Sequence, residues 1–155
     1  RLKAWLPYIP RDAQVHSCLG DWSLVDFNSE QSEILLSIVL MSAGMVNFSD
    51  DMTKLNKLGL EMARRIAGAE AGSTGIPIDL FENELPAFWV QQLGQGRYRM
   101  LLINWESEKR NFSLERFEHY ICKFPGSLFD FWTQEYTKFP EKLQLKPLSC
   151  KLFET

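Results

Sequence analysis

From Asn28 to about Ala67 the apolar positions recur with helical spacing. Asn28 is placed to cap a first turn, and Gln31, three residues on, to reach back to it as in a capping box. Ile34, Leu35, Ile38, Val39 and Met41 follow at neighbouring helix positions, and Gly44 can end the helix in a left-handed turn. This helix is apolar almost all round, so it is expected to be buried on most of its faces. Met45-Val46-Asn47-Phe48 then reads as a short buried strand ending in the polar tip Ser49-Asp50-Asp51. A second helix, starting near Thr53, carries Leu55, Leu58, Met62 and Ile66 on one stripe and closes at Gly68. Helix, short strand, polar tip and helix form the rhythm of a parallel α/β unit.

The pattern then changes. Residues 68–75, Gly-Ala-Glu-Ala-Gly-Ser-Thr-Gly, are small and aperiodic and make the best linker in the chain. Beyond them come short strands divided by turns. Phe88-Trp89-Val90 leads to the turn Gly94-Gln95-Gly96, and Tyr98 to Trp105 is apolar on both alternating faces, as in a strand covered on both sides. Glu106 to Asn111 is a polar turn, Phe112 and Leu114 alternate with Ser113 and Glu115, and Leu128 to Trp132 is an aromatic strand. Leu143 and Leu145 share a face, whereas Leu148, Cys150 and Leu152 continue in the opposite phase. A bulge or edge position at Pro147 would account for that shift. The expected fold is therefore an α/β segment over residues 1–67, a linker over 68–75, and an all-β antiparallel sandwich over 76–155.

Composition narrows the function. The chain has 155 residues, short of the roughly 250 of a complete (β/α)8 barrel. A net charge of -3 with scattered Lys and Arg gives no footprint for nucleic acid. The apolar stretch from Ile34 to Val46 is too short and too interrupted to span a bilayer, so no membrane partner is expected. The chain begins at Arg1 with no charged-then-apolar leader, as expected of a piece of a longer protein. Cys18, Cys122 and Cys150 are odd in number and widely spaced; buried reduced thiols are the plain reading, a disulfide between two of them the alternative. His16 and Cys18 lack further ligands at a useful spacing, and neither a metal nor another cofactor is expected.

Three segments in order resemble the C-terminal third of melibiase-type, α-galactosidase-like glycoside hydrolases. Gly44-Met45-Val46-Asn47-Phe48-Ser49-Asp50-Asp51 is similar to the family's stretch at the last barrel strand. Leu101-Leu102-Ile103-Asn104-Trp105 is similar to a strand of its C-terminal sandwich. Phe129-Asp130-Phe131-Trp132-Thr133 and Leu145-Lys146-Pro147-Leu148-Ser149 resemble its Asp-x-Trp-Thr and closing Pro-x-Ser strands. The resemblance implies that residues 1–67 end a (β/α)8 barrel begun upstream and that the sandwich packs on it. It also implies a retaining α-glycosidase parent, whose nucleophile and acid/base carboxylates would both lie upstream, leaving this chain inactive alone. Its expected partners are an α-linked glycoside or oligosaccharide, the rest of the barrel, and a second copy of the chain if the apolar helix is left uncovered. The alternative is a free-standing sandwich that binds carbohydrate or protein.

Three residues are candidate outer contacts to substrate. Asp50 follows the barrel strand, and strand C-terminal ends face the active site in such barrels; capping of the next helix by Ser49, Asp50 or Asp51 is the plainer role. Asp21 and Trp22 pair a hydroxyl-binding carboxylate with a stacking ring, although Trp22 and Ser23 stand where the family has Pro and Asp. Trp89, Trp105 and Trp132 are expected in the sandwich core rather than on a stacking platform. Asn47 and Asn111 each begin a glycosylation sequon, the first on a strand expected to be buried.

Overall fold

The computed structural model describes residues 29–44, 46, 53, 56–121 and 126–155. The first periodic run forms helix α1, Ser29–Ser42. Its end is set by Ser42, whose hydroxyl donates to the Val39 carbonyl (2.7 Å) and accepts from the Gly44 N–H (3.3 Å). The chain therefore turns one residue earlier than expected, and Ala43 rather than Gly44 takes the left-handed conformation, at φ 53°. Helix α2 spans Lys57–Ala67, not from Thr53, because the Asn56 side chain caps it by accepting from the Gly59 N–H at 2.8 Å. Its buried face is Gly59, Met62, Ala63 and Ile66, an i, i+3, i+4, i+7 set; Leu58 falls off that stripe and is exposed. The Asn28 cap and all of the short strand expected over 45–48 except Val46 lie outside the described residues.

Among the described residues eight strands follow: β1 Ile76–Pro77, β2 Phe88–Gln92, β3 Tyr98–Asn104, β4 Arg110–Ser113, β5 Ser127–Asp130, β6 Glu135–Lys138, β7 Lys142–Leu145 and β8 Ser149–Glu154. Six form one sheet in the order β1-β2-β3-β8-β5-β6, and β4 and β7 form a second. Every pairing among the described residues is antiparallel. The described residues are mostly antiparallel sheet with few helices, consistent with a β-sandwich.

The sequence alternation of β3 decides the layering. Met100 and Leu102 face a core shared with Phe88, Val90, Phe112, Phe117, Leu128, Leu145 and Phe153, on the side of the small sheet. Leu101 and Ile103 point the other way, into a core with Cys150, Leu152 and the buried residues of α1 and α2. The central strand is thus covered on both faces, by a sheet on one and by helices on the other.

Three strand expectations need correction. Residues 142–154 are not one bulged strand. The break at Pro147 is a turn with Leu148 at φ 46°, and β7 and β8 belong to different sheets, which is why the apolar phase flips there. Strand β5 ends at Asp130, so Phe131 and Trp132 sit in the turn before β6. Leu114 does not extend β4; it opens a 3-10 helix, Leu114–His119, capped by the Ser113 hydroxyl accepting from the Glu115 N–H.

Residues 68–75 lack regular structure but are well tied. The Ser73 N–H donates to the Gln92 carbonyl (2.9 Å) and the Gly75 N–H to the Met41 carbonyl (2.7 Å). A Cβ at residue 75 would stand 2.7 Å from that Met41 oxygen, so only glycine permits the approach.

Candidate functional site

The candidate sugar contacts Asp21, Trp22 and Asp50 lie outside the described residues, as do His16, Cys18, Asn47, Ser49 and Asp51. Cys122 also lies outside them; Trp89, Trp105, Trp132, Asn111 and Cys150 can be placed. The Trp89 and Trp105 indole N–H groups both donate to the Pro86 carbonyl, at 3.2 and 2.9 Å, and their half-buried rings pack on the helix-side core. Trp132 is buried and donates to the Ser37 hydroxyl at 2.8 Å. Asn111 is exposed on β4 and accepts from the Gln144 side-chain amide at 3.2 Å.

The polar residues that carry the resemblance are builders of turns. Asn104, with no exposed surface, donates to the Glu108 and Lys146 carbonyls, both at 2.8 Å. Asp130 accepts from the Trp132 and Thr133 N–H groups, both at 3.1 Å, and pairs with Lys151 at 2.5 Å. The Ser149 hydroxyl donates to the Lys146 carbonyl at 2.8 Å. Each closes a bend in the backbone.

The polar chemistry of the helix–sheet interface gathers at two points. Along α1, Glu33 is flanked by Glu30 and Asp130 and faces Lys151 and Arg65. Burial first, then the two neighbouring carboxylates, push its carboxyl up to about 7, against the partial relief of the two cations. Glu30 is held below the usual range, chiefly by a backbone hydrogen bond and the Ser29 hydroxyl. Cys150 lies 3.7 Å from the Ser37 hydroxyl, and burial drives its thiol pKa far up, so it is an inert core thiol.

The second point is Arg99, fully buried on β3. Its guanidinium donates to Glu154 (2.7 Å), Gln91 Oε1 (2.6 Å) and the Glu70 carbonyl (3.1 Å), and lies 5.9 Å over the Phe131 ring. Gln91 in turn donates to the Leu40 carbonyl (3.1 Å) and the Ser73 carbonyl (2.7 Å). One cation and one amide thus join the end of α1, the 68–75 segment, two strands and the C-terminal strand.

Sequence reasoning overlooked an open concavity of about 400 Å³ on the sandwich, lined by Ile78, Glu82, Glu115, Arg116, His119 and Tyr120. It lies between the turn after β1 and the 3-10 helix. The turn is fixed by the buried Asp79, whose carboxylate accepts from Ala87 N–H (2.9 Å), Phe88 N–H (3.1 Å) and the Asn83 side chain (2.9 Å). No periodic signal marks it, because its two walls are brought together only by the fold. Among the described residues no group of three or more His, Cys, Asp or Glu side chains could hold a metal ion, and no helix is long and apolar enough to cross a membrane.

No protein-family model matches the sequence, and no curated protein matches it. Solved structures do. A GH27 β-L-arabinopyranosidase from Geobacillus stearothermophilus superposes with a TM-score of 0.66 at 14% identity, over 83% of this chain and 30% of that one. α-Galactosidase I from Mortierella vinacea gives 0.65 at 12% identity, over 86% of this chain and 37% of that one. An isomalto-dextranase from Arthrobacter globiformis T6 gives 0.57 at 13% identity, over 83% and 24%. Over most of its length the chain therefore shares the fold of a part of these glycosidases. The chain spans about 30% of the length of the first of them.

Proposed function

We propose that this chain is the C-terminal part of a retaining glycoside hydrolase acting on α-galactosides or related α-glycosides. On this reading residues 1–67 end the catalytic barrel, residues 68–75 join it to the sandwich, and residues 76–155 form a sandwich that packs on the barrel and stabilises it. The chemistry belongs upstream: both carboxylates would stand on earlier barrel strands, with Asp21, Trp22 and Asp50 as outer contacts to the sugar. The observation that carries the proposal is the shared fold over 83% of the chain with proteins whose names specify glycosidase activity. The range of their names, from arabinopyranosidase to isomalto-dextranase, is why the proposal stops at α-galactosides or related α-glycosides.

The test is to assay the chain alone, and joined to its upstream coding sequence, on an aryl α-galactoside and an aryl α-glucoside. The chain alone should show no turnover and the joined protein should. Turnover by the chain alone at the rate of a complete glycosidase would refute the reading. One observation favours a second reading, a free-standing binding module: α1 buries its apolar side against the chain's own sheet, through Leu101, Ile103, Cys150 and Leu152. An inactive joined protein would favour that module.

A further inference from the structure

The concavity on the sandwich lies outside the proposed barrel chemistry, and its lining has a definite character. Tyr120 presents a ring that is 43% exposed, beside the exposed His119. Arg116 is fixed from two directions: its guanidinium donates to Glu82 at 2.6 Å and lies 5.3 Å over the Phe88 ring. The ion pair also raises the pKa of Arg116, so the cation is permanent. Glu82 keeps a second carboxylate oxygen available, Glu115 brings another carboxylate, and Ile78 supplies the apolar floor. Both walls are rigid, one pinned by Asp79 and the other by the 3-10 helix whose Phe117 is wholly buried.

This chemistry discriminates among ligand classes. One arginine already paired with a carboxylate, next to a second carboxylate, leaves the lining negative overall, which disfavours phosphates and other anions. An apolar ligand would desolvate the Arg116–Glu82 pair, Glu115 and His119 while offering them no hydrogen bond. A neutral polyol meets both conditions. Its hydroxyls can accept from Arg116 and donate to the carboxylates, while its C–H face lies on the Tyr120 ring. A volume of about 400 Å³ is within the range of small-molecule clefts.

We propose that the concavity formed by Ile78, Glu82, Glu115, Arg116, His119 and Tyr120 is a non-catalytic site for a neutral pyranose sugar. Arg116 and Glu82 read vicinal hydroxyls, and Tyr120 stacks on the ring. The proposal is independent of the barrel reading, since either an enzyme part or a lone module can carry such a site.

The test is titration of the full chain, labelled with ¹⁵N, followed by amide chemical shifts. The probes are methyl α-galactoside, methyl α-glucoside and arabinose, with inorganic phosphate as the competing class. An open site of this kind should give saturable shifts at Glu82 and residues 114–121, with a dissociation constant on the order of 1–10 mM for at least one sugar. Tyr120→Ala should weaken binding at least tenfold, and Arg116→Met likewise, whereas Tyr120→Phe should retain most of it. The dispersion of the remaining amides reports that each variant is folded. No saturable shift at the site up to about 50 mM sugar, a response to phosphate alone, or unchanged affinity in folded Tyr120→Ala would each overturn the proposal. None of these outcomes bears on the turnover assay of the joined protein, so the two readings fail separately.

Discussion

Glu33 is a carboxyl group in a place that suits a neutral one better. Its folded-state pKa of about 7 lies above the ordinary 4.5, so between those values the folded chain keeps a proton that the unfolded chain has released. Stability linked to this group is therefore full below about pH 4.5 and declines as pH rises toward about 7. The groups facing it are Glu30 on its own helix, Arg65 on α2, and Asp130 and Lys151 on the sheet. Glu33→Gln keeps the shape and removes the ionisation. Urea unfolding should show the variant more stable than the parent at about pH 8, by on the order of 1–2 kcal/mol. Near pH 4.5 the two should be nearly equal. Parallel pH profiles would mean that Glu33 is better solvated than its surroundings imply.

The joint between the helices and the sheet depends on how β2 and β3 are paired. Gln91 lies opposite Arg99 in the antiparallel register, and Arg99 opposite Glu154 on β8, so three polar side chains meet on the helix-facing side of an otherwise apolar sheet. Replacing Arg99 with Met takes from the Gln91 Oε1 and from the Glu154 carboxylate the cation that each accepts from. The expected cost is about 3–5 kcal/mol, read as a lower midpoint in denaturant. The exposed pair Arg97–Glu70, of similar length at 2.5 Å, should lose less than about 1 kcal/mol on Arg97→Ala. Equal losses in the two variants would contradict the claim that burial makes the difference.

Which elements were legible in sequence follows from the same burial. β3 could be read because both of its faces are covered and its whole length is apolar. β6, Glu-Tyr-Thr-Lys, could not, because it is a fully exposed edge strand with no alternation to find. The phase flip at Pro147 was visible, but a sequence does not say whether a chain bulges within one sheet or crosses to another. The concavity was hidden for a related reason: Glu82 and Arg116 meet across 34 residues, and neither belongs to a periodic element.

For the whole molecule, the open matter is whether the helical layer is complete within this chain. α1 is buried round most of its circumference, with Leu36 through Met41 all buried, and α2 adds Met62, Ala63 and Ile66 to the same core. A barrel end would draw its remaining cover from strands and helices upstream, whereas a lone module must cover itself. Amide exchange separates these cases, because local opening reports how many buried contacts secure each element. In the chain alone, a barrel end predicts that amides of α1 and α2 exchange at least about 100-fold faster than those of β2, β3 and β8, the difference of roughly 2.7 kcal/mol in opening free energy. Joining the upstream sequence should then slow exchange in the helices toward that of the sheet and leave the sheet nearly unchanged. Equal protection of helices and sheet in the chain alone, with no gain on joining, would make the chain a self-sufficient module. Sedimentation of the same sample guards against the one confounding case: a dimer could protect the helices by covering them with a second copy, and dilution would then restore their fast exchange.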